Sequence, residues 1–130
     1  MSITIAYPSS PQYTGGVVVL YEYANGLARR GHEVHLVHGP LTPHRIDHLD
    51  QLSWFPFHPA VRHHLVDALD DPSLPETDVV FPAGAPARLG LPAIFLQGYQ
   101  MIAAQLERPA FLHPCLKICV ATWLADVGVA

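Results

Sequence analysis

Ile3-Thr4-Ile5-Ala6-Tyr7, then Val17 to Arg30, then Glu33-Val34-His35-Leu36-Val37-His38 decide the fold of this chain. The first run is short, rich in β-branched residues and stopped by Pro8, which predicts a strand. Pro8 to Thr14 is polar and proline-containing, so it predicts a loop. In the second run Val18, Leu20, Tyr21, Ala24, Leu27 and Ala28 recur at three- and four-residue steps, the spacing of one helix face. Arg29 and Arg30 fall in its last turn, where cations suit the helix dipole, and Gly31 is a good stop. The third run predicts a second strand, ended by Gly39-Pro40. Strand, helix and strand follow one another within 40 residues, the span of a βαβ unit.

The alternation continues outward. Ser53-Trp54-Phe55-Pro56-Phe57 reads as a short strand near an edge, because Pro56 has no N–H for a central ladder. Pro59 to Asp70 predicts a helix with Val61, Leu65 and Ala68 on one side. Asp78-Val79-Val80-Phe81, Pro92-Ala93-Ile94-Phe95-Leu96 and Leu116-Lys117-Ile118-Cys119-Val120 predict buried strands. Met101 to Leu106 predicts a short helix, Ala121 to Val127 a helical start, and residues 39–52 a long surface loop. Strands alternating with helices specify an α/β fold, Rossmann-like, with a mostly parallel sheet and helices on both faces.

Composition narrows the class. The chain has 130 residues, enough for one domain with a real core. Half of them are hydrophobic and 14% are charged, the opposite of a disordered balance. The net charge is −4, without the basic surplus of a phosphate-neutralising nucleic-acid binder. Cys115 and Cys119 make no disulfide framework, which fits a reducing compartment. No apolar run approaches the roughly 18 residues of a membrane span. The opening Met1-Ser2-Ile3-Thr4-Ile5 lacks the features of a secretory signal, so the expected location is cytoplasmic.

Sheets of this kind take ligands outside the carboxyl ends of their strands. The first loop there carries Thr14-Gly15-Gly16 at the start of the main helix. Adjacent glycines let backbone amides come close to a ligand, and the helix start favours an anion such as a phosphate. Glycines also open helices with no ligand present, and the local motif leaves both readings standing. A dinucleotide site needs G-x-G-x-x-G directly after the first strand and an acidic residue at the end of the second. Here seven residues separate Tyr7 from Gly15, and the second strand ends in Val37-His38-Gly39. A P-loop needs a lysine after its glycines, and none follows.

Taken as a set, Ile3 to Tyr7, Tyr13-Thr14-Gly15-Gly16 and Tyr23-Ala24-Asn25-Gly26-Leu27-Ala28-Arg29-Arg30-Gly31-His32-Glu33-Val34 resemble the N-terminal domain of GT-B-fold retaining glycosyltransferases of the group 1/family 4 type. Asp78 to Phe81, Leu91 to Gln97 and Lys117 to Leu124 resemble later strands of that domain, with Ala121 where the family usually has serine. Residues 40–75 carry no resemblance. The resemblance implies that residues 1–130 are a single acceptor-side domain and that a donor-binding C-terminal domain, for which this chain has no room, completes the enzyme. It implies transfer of a sugar from a nucleotide-sugar donor to a carbohydrate, lipid or small-molecule acceptor in the cleft between the domains. The nucleotide sugar is then substrate, and no separate cofactor or metal is implied. Thr14, Gly15 and Gly16 match the loop facing the donor diphosphate and the acceptor. Gly98 stands where many members place a histidine, and with the flanking Gln97 and Tyr99 and with His113 it makes up the acceptor-side candidates. No catalytic residue is assigned. The alternatives are a standalone module that binds a sugar or nucleotide without chemistry, and part of a nucleotide-sugar epimerase.

Nine histidines invite a metal reading. On a strand His35 and His38 point to opposite faces, and the adjacent His63 and His64 diverge. No H-E-x-x-H pattern occurs, so solvated or partly buried histidines are expected rather than a zinc site. Cys119 reads as a small core residue, and Cys115 has no evident activating base. Trp54, Phe55 and Phe57 read as core packing, with a sugar-stacking platform or a peripheral membrane contact as the sharper alternatives.

Overall fold

A computed structural model describes residues 1–6, 15–39, 46–81, 85–96 and 116–119. The elements are β1 (Ser2–Ile5), α1 (Gly15–Arg29), β2 (Glu33–His38), β3 (Val61–Leu65), β4 (Val79–Phe81), β5 (Leu91–Leu96) and β6 (Leu116–Cys119). Two 3₁₀ turns, Leu49–Leu52 and Ala87–Leu89, lie between them. The strands form a six-stranded sheet in the order β3-β2-β1-β4-β5-β6. Every neighbouring pair is parallel. The fold is α/β and Rossmann-like. The order runs outward in one direction through β1, β2 and β3, then returns to the other side of β1 with β4. The switch point therefore lies between β1 and β4.

Each face of the sheet has its own core. On one side Ile3, Ile5, Val34, Leu36, Val61 and Phe81 pack under Leu20, Tyr21, Ala24 and Ala28 of α1. The predicted helix face is the buried face. Gly31 ends the helix at a φ of 85°, the left-handed conformation that glycine adopts without a Cβ penalty. On the other side Ala6, Val37 and Val80 pack with Val66, Leu74 and Leu89. Among the described residues no α-helix covers this second face. The β3–β4 connection crosses it instead, as turns. Arg88 pins that connection by donating to the carbonyl of Leu74 at 3.0 Å and to that of Asp71.

Two expectations are corrected. Residues 59–70 are not a helix, because Val61–Leu65 forms strand β3 along the free edge of β2. The helical spacing rested on three apolar residues, of which Leu65 and Ala68 are exposed. Five backbone positions in register with β2 outweigh so thin a stripe. Residues 53–57 form no strand. They follow the 3₁₀ turn as bends and irregular chain that carries Phe55 into the core. The expected surface loop at 39–52 also contributes to the core, burying Ile46 and Leu52. The predicted helices at 101–106 and 121–127 lie outside the described residues. No described helix is long and apolar enough to cross a membrane.

Candidate functional site

The switch point brings together the carboxyl ends of β1 and β4. The amide of Ala6, just past β1, donates to the carbonyl of Phe81 at 2.7 Å, so the two strand ends stay paired to their last residues. Gly15 and Gly16 are the first two residues of α1. The first turn of α1 holds no acidic residue, so nothing there offsets the partial positive charge of the helix start. Gly15 is exposed, and a Cβ built on it would meet nothing within 4 Å among the described residues. Packing against the described residues therefore does not require glycine at position 15. Thr14, Gln97, Gly98, Tyr99 and His113 lie outside the described residues.

The carboxyl end of β2 is occupied by His38, which is fully buried. The last residue of β2 is thus a histidine rather than a carboxylate. A cleft of about 540 Å³ opens at the opposite end of the sheet, lined by Thr77, Asp78, Arg88 and Gly90 among others. It lies at the amino ends of β4 and β5, away from the helix start and the switch point.

A polar grouping of four histidines, Glu33 and Arg62, not foreseen from the sequence, spans β2 and β3. His38 Nε2 lies 3.0 Å from His63 Nδ1, and the two rings stack with planes 11° apart. His35 Nδ1 lies 2.8 Å from His64 Nε2, and His35 Nε2 lies 3.0 Å from Glu33 Oε1. Arg62 Nη1 donates to the same carboxylate oxygen at 3.0 Å. Strand parity explains the arrangement. On β2, His38 shares the α1 face with Val34 and Leu36, while His35 shares the other face with Glu33. On β3, His63 and His64 divide in the same way. That His35 and His38 diverge on their strand, and that the adjacent His63 and His64 diverge, was legible. The pairing between strands was not, because it needs β3 to be a strand. Burial lowers the pKa of His38 to about 3, helped by the neighbouring His63 and His64. Burial, then His64, lowers that of His63. Burial, then His35 and Arg62, lowers that of His64. Among the described residues no group of three His, Cys, Asp or Glu side chains is placed to hold a metal ion.

No protein-family model, no curated protein and no solved structure matches the chain.

The aromatic cluster packs in the core. Tyr21 of α1 has its ring centroid 5.8 Å from Trp54, 5.3 Å from Phe55 and 4.8 Å from Phe57. Phe55 is buried, and Trp54 and Phe57 lie against the same core. Beside them a cavity of about 220 Å³ is lined by Phe55, Phe57, His63, Ser53 and Asp50 among others.

Proposed function

We propose that this chain is the acceptor-side domain of a nucleotide-sugar-dependent glycosyltransferase of the GT-B type. The observation that carries the reading is the position of Gly15-Gly16. The pair resembles the family's diphosphate loop and stands at the start of the helix that follows β1 in the chain. An exposed glycine that packing among the described residues does not require, at a helix whose first turn holds no acidic residue, suits close approach of a diphosphate. As the sugar leaves, it gains oxocarbenium character and the diphosphate gains charge. Preorganised amides and a helix dipole stabilise that charge without reorganising. Gln97, Gly98, Tyr99 and His113 are proposed to face the acceptor, and the donor nucleotide is proposed to sit on a second domain.

The end of β2 weighs against an epimerase using a dinucleotide, because buried His38 stands where a ribose-binding carboxylate would be needed. The test is transfer by the full-length protein, with a panel of nucleotide sugars and hydroxylated acceptors, read as release of nucleoside diphosphate coupled to product. The 130-residue chain alone is expected to give no turnover. Binding of a nucleotide sugar without turnover by the full-length protein would favour a binding module instead. Transfer by the isolated chain would overturn the two-domain reading.

A further inference from the structure

We propose that the cavity beside the aromatic cluster is a binding site for a small organic ammonium ion, a primary amine carried on an apolar ring or chain. This inference is independent of the glycosyltransferase reading. The cavity has a volume of about 220 Å³ and lies between the 3₁₀ turn Leu49–Leu52, the chain that follows it, and His63 of β3. β3 is two positions from β1 in the sheet, so the cavity is separate from the switch point. Sites for drug-sized ligands run from about 300 to about 1,000 Å³. A cavity below that range suits a molecule of a single ring.

The lining changes character between core and solvent. Leu52 and Phe55 are buried, and Phe57 is half-buried against the same core. The Phe55 and Phe57 rings meet edge to face with centroids 4.8 Å apart, so the inner wall is apolar and aromatic. Asp50 and Ser53 are exposed and stand at the outer side. The backbone amide of Ser53 donates to the carbonyl of Asp50 at 3.1 Å, a bond that uses neither side chain. Among the described residues the Asp50 carboxylate and the Ser53 hydroxyl have no hydrogen-bond partner. His63 meets His38 through Nδ1, which leaves Nε2 as its second nitrogen.

Charge and polarity decide the class of ligand. The lining holds one carboxylate, Asp50, and no lysine or arginine. Burial, then the neighbouring His64, lowers the pKa of His63, so that ring is neutral near pH 7. A phosphate or carboxylate ligand would meet Asp50 with no cation to hold it. A sugar is polar on every side and would turn hydroxyls toward Leu52 and Phe55, whose side chains offer no partner. An ammonium head on an apolar body matches both ends of the cavity. The head donates to the Asp50 carboxylate and to Ser53 Oγ, and the body lies against Phe55 and Phe57. Water screens Asp50, so its contribution is the modest one of an exposed ion pair.

The experiment titrates the full-length protein with phenethylammonium, phenethyl alcohol and hydrocinnamate, which share one apolar body and carry a positive, neutral or negative head, and with glucose. Binding is read from the NMR signals of the His63 and Phe57 rings. Phenethylammonium is expected to bind saturably with a Kd of about 1 mM. The alcohol is expected to bind about fivefold more weakly, and hydrocinnamate more weakly still. Asp50→Asn, whose side chain holds no bond in the fold, is expected to remove the preference for the ammonium over the alcohol and to leave Tm unchanged. Ser53→Trp fills the cavity from an exposed position and is expected to weaken the ammonium by at least about tenfold. Asp50→Asn carries the test if Ser53→Trp does not fold. No saturable binding of phenethylammonium up to about 20 mM would overturn the site. Alcohol, hydrocinnamate or glucose bound as tightly as the ammonium would overturn the ligand class. A preference that persists in Asp50→Asn, or binding that survives in a folded Ser53→Trp, would equally overturn the proposal.

Discussion

The side-chain amide of Asn25 clamps the chain around Pro56. Its Nδ2 donates to the carbonyl of Pro56 at 2.9 Å, and its Oδ1 accepts the amide of His58 at 2.8 Å. Asn25 is buried in α1, so one helical residue satisfies two backbone groups of the segment that carries the aromatic cluster. Asn25→Ala leaves both groups without that partner. Each such loss costs about 1–3 kcal/mol when the group is buried, and these are part-buried, so a loss of about 2–3 kcal/mol is expected. Urea unfolding of the variant measures it. A change under about 0.5 kcal/mol would mean that water takes over both bonds.

Much of this architecture was legible in the chain. Glu33–His38 stops so plainly at Gly39-Pro40, and Leu20, Tyr21, Ala24 and Ala28 keep helical spacing so well, that the β1-α1-β2 unit emerges from pattern alone. β3 did not, because Val61-Arg62-His63-His64-Leu65 has no apolar alternation to show. Its strand character comes from the open edge of β2, a tertiary cause that no local window contains. The histidine pairs were hidden for the same reason. Trp54 to Phe57 misled in the other direction: aromatic richness signals burial, and here burial is achieved by irregular chain under Tyr21. Of the candidate ligand site, Gly15 and Gly16 were placed at the helix start as expected.

A part-buried hydroxyl pair ties β1 to the approach of β4. Thr77 Oγ1 lies 3.0 Å from Thr4 Oγ1 and 2.6 Å from the carbonyl of Leu89. Thr77 has one hydroxyl proton, which the shorter contact assigns to Leu89, so Thr77 accepts from Thr4. Thr4 is fully buried. Thr77→Val orphans the Thr4 hydroxyl and is expected to cost about 1–3 kcal/mol. In Thr4→Val/Thr77→Val both partners become apolar, and the total is expected to fall short of the sum of the single losses. A double-mutant cycle by chemical denaturation reads the coupling. Strict additivity would show that the hydroxyls do not interact.

Stability is expected to decline in mild acid. The folded-state pKa of His38 is lowered to about 3 by burial, then by His63 and His64, from an ordinary 6.5. The unfolded chain therefore binds more protons than the folded one between these values. His38 contributes its full stability above 6.5 and loses it as the pH falls towards 3. The slope for this one group is about 1.4 kcal/mol per pH unit. His63 and His64, also lowered, act with the same sign. Asp71 and Asp78, held low by hydrogen bonds with Ser73 and Ser2, lose their contribution only below their ordinary 3.8. Urea unfolding at a series of pH values is expected to show a plateau above neutrality and a fall below 6.5. His38→Gln is expected to flatten that fall by about one proton's worth. An unchanged slope in the variant would remove His38 as a source of the acid sensitivity.

Gly15 lets ligand contact be separated from folding. It is exposed, and an added Cβ would meet nothing within 4 Å among the described residues. Alanine is also the better helix former, by up to about 1 kcal/mol in a helix interior and less at the first position. Gly15→Ala is therefore expected to leave Tm unchanged or slightly raised. If the backbone there lies against a diphosphate, the methyl stands in the ligand's path. Affinity of the full-length protein for its nucleoside diphosphate product is then expected to drop by about tenfold or more, equivalent to roughly 1.4 kcal/mol. Gly16→Ala is expected to lower affinity in the same direction. Melting and calorimetric titration on the same samples read the two quantities separately. A variant with unaltered Tm and unaltered affinity would leave Gly15 as an ordinary helix start, and the diphosphate would have to be held elsewhere.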